Sequence, residues 1–311
     1  MEDNDNSDDD NDYFDGWKEY DWCNINKIKE GNEYTIFEDG ATVNDIVQGD
    51  IKDINDCYFL SALGSLCSYE NFFDKLFYTQ NISENHFYGI YLFINGKWKL
   101  VLLDNNFPYK TVNYFDKDFC FGKSIQKELW VSLLEKAWAK VNGSYARIGC
   151  NGWSKEAFDV LTEAYTEKID LRLYNNMENK RSEELWEILL KAFEKEYVLT
   201  AGTKSLKIEK FTENNLETGH DYTLINIYTV GDNIKLVKLK NPFGCSEYNG
   251  DWEDSDDKWT TEIKKQCEFK EENNEGIFYM PYKDFVKYFD VIHIAKINQD
   301  YESTYFKITK D

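Results

Sequence analysis

The chain has 311 residues, with 36 lysines and arginines against 58 aspartates and glutamates, and so a formal net charge of −22. This length suits one large domain or two closely packed smaller ones. The negative charge argues against nucleic acid and anionic lipid as partners, and it favours cations and basic peptide segments.

The cysteines and apolar runs indicate the compartment. Seven cysteines stand at scattered positions: Cys23, Cys57, Cys67, Cys120, Cys150, Cys245 and Cys267. An odd number at such spacings is a poor disulfide framework, so reduced thiols are expected. No apolar run reaches the roughly 18 residues of a membrane span, and no signal-peptide pattern is present. We expect a cytoplasmic protein.

The first half reads as an acidic tail, several helices and one hairpin. Residues 1–13 are almost entirely acidic or Asn and are predicted to be disordered. From Cys57 to Cys67 the apolar residues follow helical spacing behind the cap residues Asn55 and Asp56, so Cys57 should begin a helix. Asn95-Gly96, between two strand-like runs, predicts a type I′ hairpin. Further helices are predicted from Ser124 to Val141 and over residues 154–165.

The second half is richer in strands. A helix is predicted over residues 182–197, followed by strands at 197–201, 222–228 and 234–240. Gly231-Asp232-Asn233 predicts a turn between the last two strands. Helices in the first half and an antiparallel sheet in the second predict an α+β fold.

The last hairpin brings a histidine and an asparagine together. A turn near Val230 and Gly231 would place His220, before one strand, beside Asn241, after the other. An asparagine carbonyl can fix the tautomer of an imidazole that acts on a thiol. At a helix N-terminus beside a histidinium, the pKa of Cys57 should be lowered. Cys, His and Asn in this chain order form a known variant of the serine protease triad.

Each residue also has a plainer interpretation. Cys57 can be a small buried apolar residue, and His220 and Asn241 can be ordinary loop residues. The acidic cluster at residues 251–257 lacks the glycine and final glutamate of an EF-hand loop, so a solvated loop is the default interpretation.

The sequence resembles the calpain protease core at five places in the right order. DCYFLSAL is similar to the segment around the family's nucleophile, and ELWVSLLEKAWAKVNGSY to its long helix. TGHDYTL is similar to Gly-His-Ala-Tyr, KLKNPFG to Arg-Asn-Pro-Trp-Gly, and EGIFYMPYKDFVKYF to the family's segment near the end of the core. The resemblance implies a papain-like α+β fold. A helical lobe at 14–165 would carry Cys57, a β-rich lobe at 166–311 would carry His220 and Asn241, and the cleft would lie between them.

The resemblance also implies site residues. Cys57 would be the nucleophile, His220 the base and then the acid, and Asn241 the residue that orients His220. Gln48 matches the oxyanion-hole glutamine, although QGDIKDINDC holds three residues more than the family's pattern. Calcium ligands are implied at Asp45, Glu156, Glu247 and Asp254. Glu275 and Ile277 stand where the family has Asp and Glu.

The sequence therefore predicts an intracellular calpain-like cysteine endopeptidase that cleaves proteins or peptides, with no organic cofactor and with calcium regulation implied. One alternative is a catalytically impaired, calpain-like peptide-binding or regulatory module. A second is an acyltransferase of the transglutaminase kind, which Asn241 disfavours because an aspartate would be expected there.

Overall fold

A computed structural model describes residues 21–28, 34–49, 54–111, 117–150, 152–174, 180–205, 211–270 and 276–297. The tail predicted over residues 1–13 lies outside these ranges. The described residues form eight α-helices and thirteen β-strands, so the α+β prediction is confirmed. Within these ranges no helix combines the length and the apolar character needed to cross a bilayer.

The helices are spread along the whole chain. They are α1 (Ile25–Ile28), α2 (Cys57–Leu66), α3 (Trp130–Asn142), α4 (Tyr145–Gly149), α5 (Ser154–Thr162), α6 (Lys180–Glu194), α7 (Thr261–Gln266) and α8 (Tyr282–Tyr288). All ten residues of α2 are buried, as expected for a helix with little polar surface.

The strands form one large sheet and three small ones. They are β1 (Asp21–Asn24), β2 (Ile46–Val47), β3 (Phe87–Phe93), β4 (Trp98–Asp104), β5 (Asn106–Thr111), β6 (Lys117–Phe119), β7 (Lys123–Ser124), β8 (Tyr165–Asp170), β9 (Val198–Thr203), β10 (Asp221–Val230), β11 (Ile234–Lys240), β12 (Ile277–Pro281) and β13 (Phe289–Lys296). The small sheets are β1-β5-β6, β2-β7 and β3-β4. The large sheet has the order β12-β11-β10-β9-β13-β8, and all its pairings are antiparallel.

Two large clusters of buried apolar side chains fill the interior. One draws mainly on residues 25–161, with Val198 and Ala295, and the other on residues 169–294. A smaller aromatic cluster gathers around Trp252, Trp259 and Tyr279. The division into two lobes at residue 165 stays a prediction.

Local sequence signals predict several elements well. Helix α2 begins at Cys57, and β3 pairs with β4 around Asn95-Gly96, whose φ angles of 52° and 73° are those of a type I′ turn. Helix α5 ends earlier than predicted because Glu163 is left-handed, with φ 55°, and Tyr165 then starts β8.

The helix predicted from Ser124 is wrong at its start and begins at Trp130 instead. Ser124 belongs to β7 and pairs with Ile46. Its hydroxyl and the Trp130 indole both donate to the buried carboxylate of Glu128. These contacts hold the segment out of a helix although its apolar residues keep helical spacing back to the exposed Ile125.

Helix α2 is hydrogen-bonded to the large sheet. Ser61 Oγ donates to the carbonyl oxygen of Asp221 (2.7 Å), and Thr223 Oγ1 donates to that of Ser61 (2.9 Å). Ser65 Oγ donates to the carbonyl oxygen of Leu199 (2.6 Å). The helix that begins at Cys57 is therefore fixed to β9 and β10.

Candidate active site

His220 and Asn241 meet at one end of the large sheet. His220 precedes β10 and Asn241 follows β11, and the two strands are neighbours. His220 Nε2 lies 2.9 Å from Asn241 Oδ1. Both residues are buried. This contact fixes Nε2 as the protonated nitrogen when the ring is neutral, because a carbonyl oxygen only accepts.

The pairing of β10 with β11 sets how His220 and Asn241 approach each other. Lys240 lies opposite Thr223, so Asn241 does not face His220 directly along the ladder. The turn pairs Val230 with Ile234, and a bulge lies between Leu224 and Asn226. Asn241 is thus offset by about two residues from direct opposition to His220, and the two side chains lie beside each other, as the sequence predicted.

Neighbouring groups hold both side chains. Phe243 stacks on the imidazole with centroids 4.7 Å apart and an interplanar angle of 6°, and Tyr222 meets it edge-on at 4.9 Å. The Asn241 amide donates to the carbonyl oxygens of Cys245 (2.9 Å) and Ser246 (3.2 Å). Phe243 therefore covers the His–Asn pair at the position where the calpain pattern has tryptophan.

Cys57 contacts the residue that follows His220, and its thiol is buried. The main-chain N–H of Asp221, the residue after His220, donates to Cys57 Sγ at 3.4 Å. Burial raises the pKa of the Cys57 thiol well above its ordinary value, and the nearby Asp221 carboxylate raises it further. The prediction of a lowered thiol pKa is wrong for this arrangement.

A cavity of about 580 Å³ joins these groups. Cys57 and His220 both line it, together with Gly152, Trp153 and Asp221. A nucleophile and a base on one cavity wall can act on the same bound molecule.

The sequence pattern of the calpain family cysteine proteases matches residues 10–296. This chain belongs to that family. It is 30% identical over 263 residues to the calpain-type cysteine protease DEK1 of Arabidopsis thaliana, a match that covers 84% of this chain and 12% of DEK1. It is 32% identical over 290 residues to the calpain-1 catalytic subunit of Mus musculus, covering 90% of this chain and 38% of that subunit. The chain thus spans well under half the length of these calpain relatives.

Gln48, which the calpain resemblance assigns to the oxyanion hole, lies buried beside the residue that precedes the nucleophile. Its Nε2 donates to the carbonyl oxygen of Ile54 (2.6 Å) and to Asp56 Oδ1 (3.0 Å). A primary amide has two N–H bonds, so both are used here. A role as oxyanion donor stays a prediction, and it requires one of these bonds to be released.

A buried pair of carboxyl groups lies behind the nucleophile. Asp56 is 0% exposed and Glu135 1%. Glu135 Oε1 accepts from the N–H of Gly122 (2.8 Å), whereas Glu135 Oε2 and Asp56 Oδ2 are buried without a hydrogen-bond donor among the described residues, and each carboxyl affects the pKa of the other. Two carboxyls can bond to each other only if one is protonated. Burial raises the pKa of both groups.

Three of the four calcium ligands implied by the resemblance accept local main-chain hydrogen bonds. Asp45 Oδ2 accepts from the Thr42 N–H (2.7 Å), Glu156 Oε2 from Trp153 (3.3 Å), and Glu247 Oε1 from Gly276 (3.0 Å). In the part of the chain that the structure describes, no three His, Cys, Asp or Glu side chains form a possible metal site. Glu275 lies outside it, and Ile277 begins β12 without a ligand atom in its side chain. Calcium can also take main-chain carbonyl oxygens and water as ligands, so a calcium site at these residues stays a prediction.

Two acidic residues near His220 and Cys57 were not predicted from the sequence. Glu217 Oε2 lies 3.9 Å from His220 Nδ1, and the Asp221 carboxylate lines the cavity. A sign of Asp221 was present, because TGHDYTL has Asp where the family pattern has Ala. The Asp56–Glu135 pair gave no such sign, because its members are far apart in the chain.

Proposed function

We propose that this chain is a cysteine endopeptidase in which Cys57 attacks a peptide carbonyl, His220 moves the proton and Asn241 orients His220. The 2.9 Å contact of His220 Nε2 with Asn241 Oδ1, beside a cavity that Cys57 also lines, carries this proposal. It directs the other ring nitrogen, Nδ1, to proton exchange with the thiol.

The steps follow from these positions. His220 takes the proton from Cys57 Sγ as sulfur attacks the carbonyl carbon, and the carbonyl oxygen becomes an oxyanion. The Cys57 N–H, the first of helix α2, has no acceptor within the helix and is available to that oxyanion. The C–N bond breaks as His220 gives its proton to the leaving amine. Water, deprotonated by His220, then hydrolyses the thioester and restores the thiol.

Proton transfer at the moment of attack suits this site better than a standing thiolate–imidazolium pair. Burial and the Asp221 carboxylate both raise the pKa of Cys57, so the neutral thiol is favoured before substrate binds. Asn241 supports the transfer because it stabilises the imidazolium and holds the ring in place.

A calpain-like module with weak or no catalysis is the second candidate. The engagement of both Gln48 amide hydrogens favours it, because an oxyanion hole short of one donor typically loses about 10² to 10³ in turnover. Such a module would hold peptides in the same cavity without cleaving them.

Partners, compartment and calcium belong to the proposal as well. We infer peptide or protein substrates held between two papain-like lobes, since an extended chain suits a cleft that carries Cys57 and His220. None of the seven cysteines, all of which lie in the described residues, forms a disulfide, and this supports a reducing, intracellular location. Calcium regulation rests on the family resemblance.

Mass spectrometry after exposure to an epoxide that alkylates protease thiols tests the proposal. We expect one adduct on Cys57, lost in Cys57→Ala and strongly slowed in His220→Ala, while the exposed Cys150 and Cys245 serve as internal controls. Adducts only on the exposed cysteines would refute the assembled site. Labelling of Cys57 without hydrolysis of any peptide would favour the impaired module. Equal labelling in calcium and in chelator would remove calcium from the proposal.

A further inference from the structure

The cavity at the nucleophile carries more negative than positive charge. Four carboxylates line it, those of Glu156, Asp170, Asp221 and Asp290, against the basic side chains of Lys168 and Arg172. Arg172 is already paired with Asp170 at 2.6 Å. Lys168 lies over the Trp153 ring, with its Nζ 3.9 Å from the ring centroid. Both basic side chains of the cavity wall thus have a partner on the wall, and the carboxylates of Glu156, Asp221 and Asp290 are left in excess.

Among the four carboxylate residues that line the cavity, Asp221 is the one whose main chain contacts Cys57. Its own main-chain N–H contacts Cys57 Sγ, and its carbonyl oxygen accepts from Ser61. An extended peptide advances about 3.3 to 3.6 Å per residue. A side chain that reaches the Asp221 carboxylate must therefore belong to a residue within about two positions of the bond that Cys57 attacks.

The Asp221 side chain is held in one place. Ser154 Oγ donates to its Oδ2 at 2.9 Å. Oδ1 lies over Gly202, the partner of Asp221 on β9, where an added Cβ would come within 2.5 Å of it. The Asp221 carboxylate is therefore preorganised by Ser154 and by the space above Gly202. Because its side chain is already fixed, it loses little conformational entropy when a ligand binds.

Asp221 also lacks a cation within the described residues. No lysine or arginine nitrogen there lies within ion-pair distance of it, and the one group that lowers its pKa is the Ser154 hydroxyl. Burial raises the pKa of Asp221 to about 6, so the group is mostly ionised at pH 7. A partly desolvated carboxylate with one hydroxyl partner is stabilised by a cation that enters the cavity.

We propose that Asp221 determines specificity: its carboxylate binds the lysine or arginine side chain of a substrate residue within two positions of the cleaved bond. This inference rests on the proposed cysteine protease function. Charge-assisted hydrogen bonds of this kind correspond to a preference of about 10- to 100-fold in kcat/KM.

Matched fluorogenic peptides test the charge preference. Each of the four positions around the cleaved bond carries in turn lysine or its uncharged analogue norleucine, and arginine or citrulline. We expect the cationic member to be cleaved about 10- to 100-fold more efficiently at one of these positions. The same pair placed six residues away should differ little, since distant charge acts only through the screened field of the acidic chain.

Asp221→Asn keeps the shape of the side chain and its contact with Ser154. The ratio of kcat/KM for the cationic peptide to kcat/KM for the neutral peptide should therefore fall to within about threefold of one. Asp170→Asn is the matched control, because it removes a carboxylate of the same cavity that Arg172 already neutralises, and its ratio should stay high. An equal rate for both peptides in the unmodified protein, or a ratio that survives Asp221→Asn, would overturn the proposal.

Peptide binding to Cys57→Ala separates this inference from the proposed function. If no peptide is cleaved, the protease proposal fails, but the affinity ratio of lysine to norleucine peptides still reports on Asp221. Tighter binding of the lysine peptide, lost in Cys57→Ala/Asp221→Asn, supports the inference. Equal binding refutes it.

Discussion

The buried carboxyl pair behind Cys57 allows a test in which protein stability depends on pH. Glu135→Gln replaces one of two acidic groups by an amide of the same shape. The amide oxygen can still accept from Gly122, and the amide N–H can donate to Asp56 at any pH. The variant therefore folds without the proton that the Asp56–Glu135 pair requires.

The sign and size follow from proton linkage. Both folded-state pKa values are raised above the unfolded ones, so the folded chain binds more protons and stability falls as pH rises above about 4. If the folded chain retains one proton that the unfolded chain has lost, the free energy of unfolding falls by about 1.4 kcal/mol for each pH unit. Between pH 5.5 and 8 this loss amounts to about 3 kcal/mol. We expect Glu135→Gln to match the unmodified protein near pH 5.5 and to exceed it by up to about 3 kcal/mol at pH 8.

Urea unfolding of both proteins at pH 5.5, 6.5, 7.5 and 8 measures this difference. Glu128→Gln is the matched control, because Glu128 is equally buried but accepts from the Glu38 N–H, the Ser124 hydroxyl and the Trp130 indole. In either orientation of the introduced side-chain amide, its NH2 group faces one of these N–H donors. We therefore expect Glu128→Gln to lower the free energy of unfolding by about 1 to 3 kcal/mol at pH 8. A stability difference between Glu135→Gln and the parent that does not change with pH would refute the shared proton.

Two further predictions concern buried side chains of the large sheet. Asn241→Ala removes the acceptor for His220 Nε2, so kcat/KM on a fluorogenic peptide should fall by about 10²-fold or more, and an unchanged rate would remove Asn241 from the mechanism. Burial lowers the pKa of His293 in the folded chain to about 4. As the pH falls below 6.5, the imidazole is protonated in the unfolded chain before it is protonated in the folded one, so the folded state loses stability. His293→Phe should reduce that loss by about 2 kcal/mol at pH 5 in urea unfolding, and identical acid sensitivity in the two proteins would contradict this.

The elements that the sequence predicted correctly are those set by neighbouring residues. The type I′ turn depends on Asn95-Gly96 alone, and the start of α2 on the residues just before Cys57. The meeting of His220 and Asn241 was also accessible, because a short turn joins their strands. The exact register was not, since the bulge after Leu224 depends on packing.

Contacts between distant segments account for what was missed. Ser124 lies in a strand because Ile46 and Glu128 bind it there, and neither contact can be read from apolar spacing. The raised pKa of Cys57 has the same origin, because burial outweighs the helix terminus that sequence reasoning relied on. For the same reason the Asp56–Glu135 pair could not be predicted from either segment alone.

The hydrogen bonds from α2 to β9 and β10 bear on how the loop before Cys57 can change during evolution. Ser61 and Thr223 attach the helix that begins at Cys57 to β10, which follows His220, and Ser65 attaches it to β9. The position of Cys57 relative to β9 and β10 is therefore held by bonds made within α2 itself. The three residues that QGDIKDINDC holds beyond the family's pattern lie before these attachments, so such an insertion can change the chain near Gln48 and leave the bonds of α2 to β9 and β10 in place.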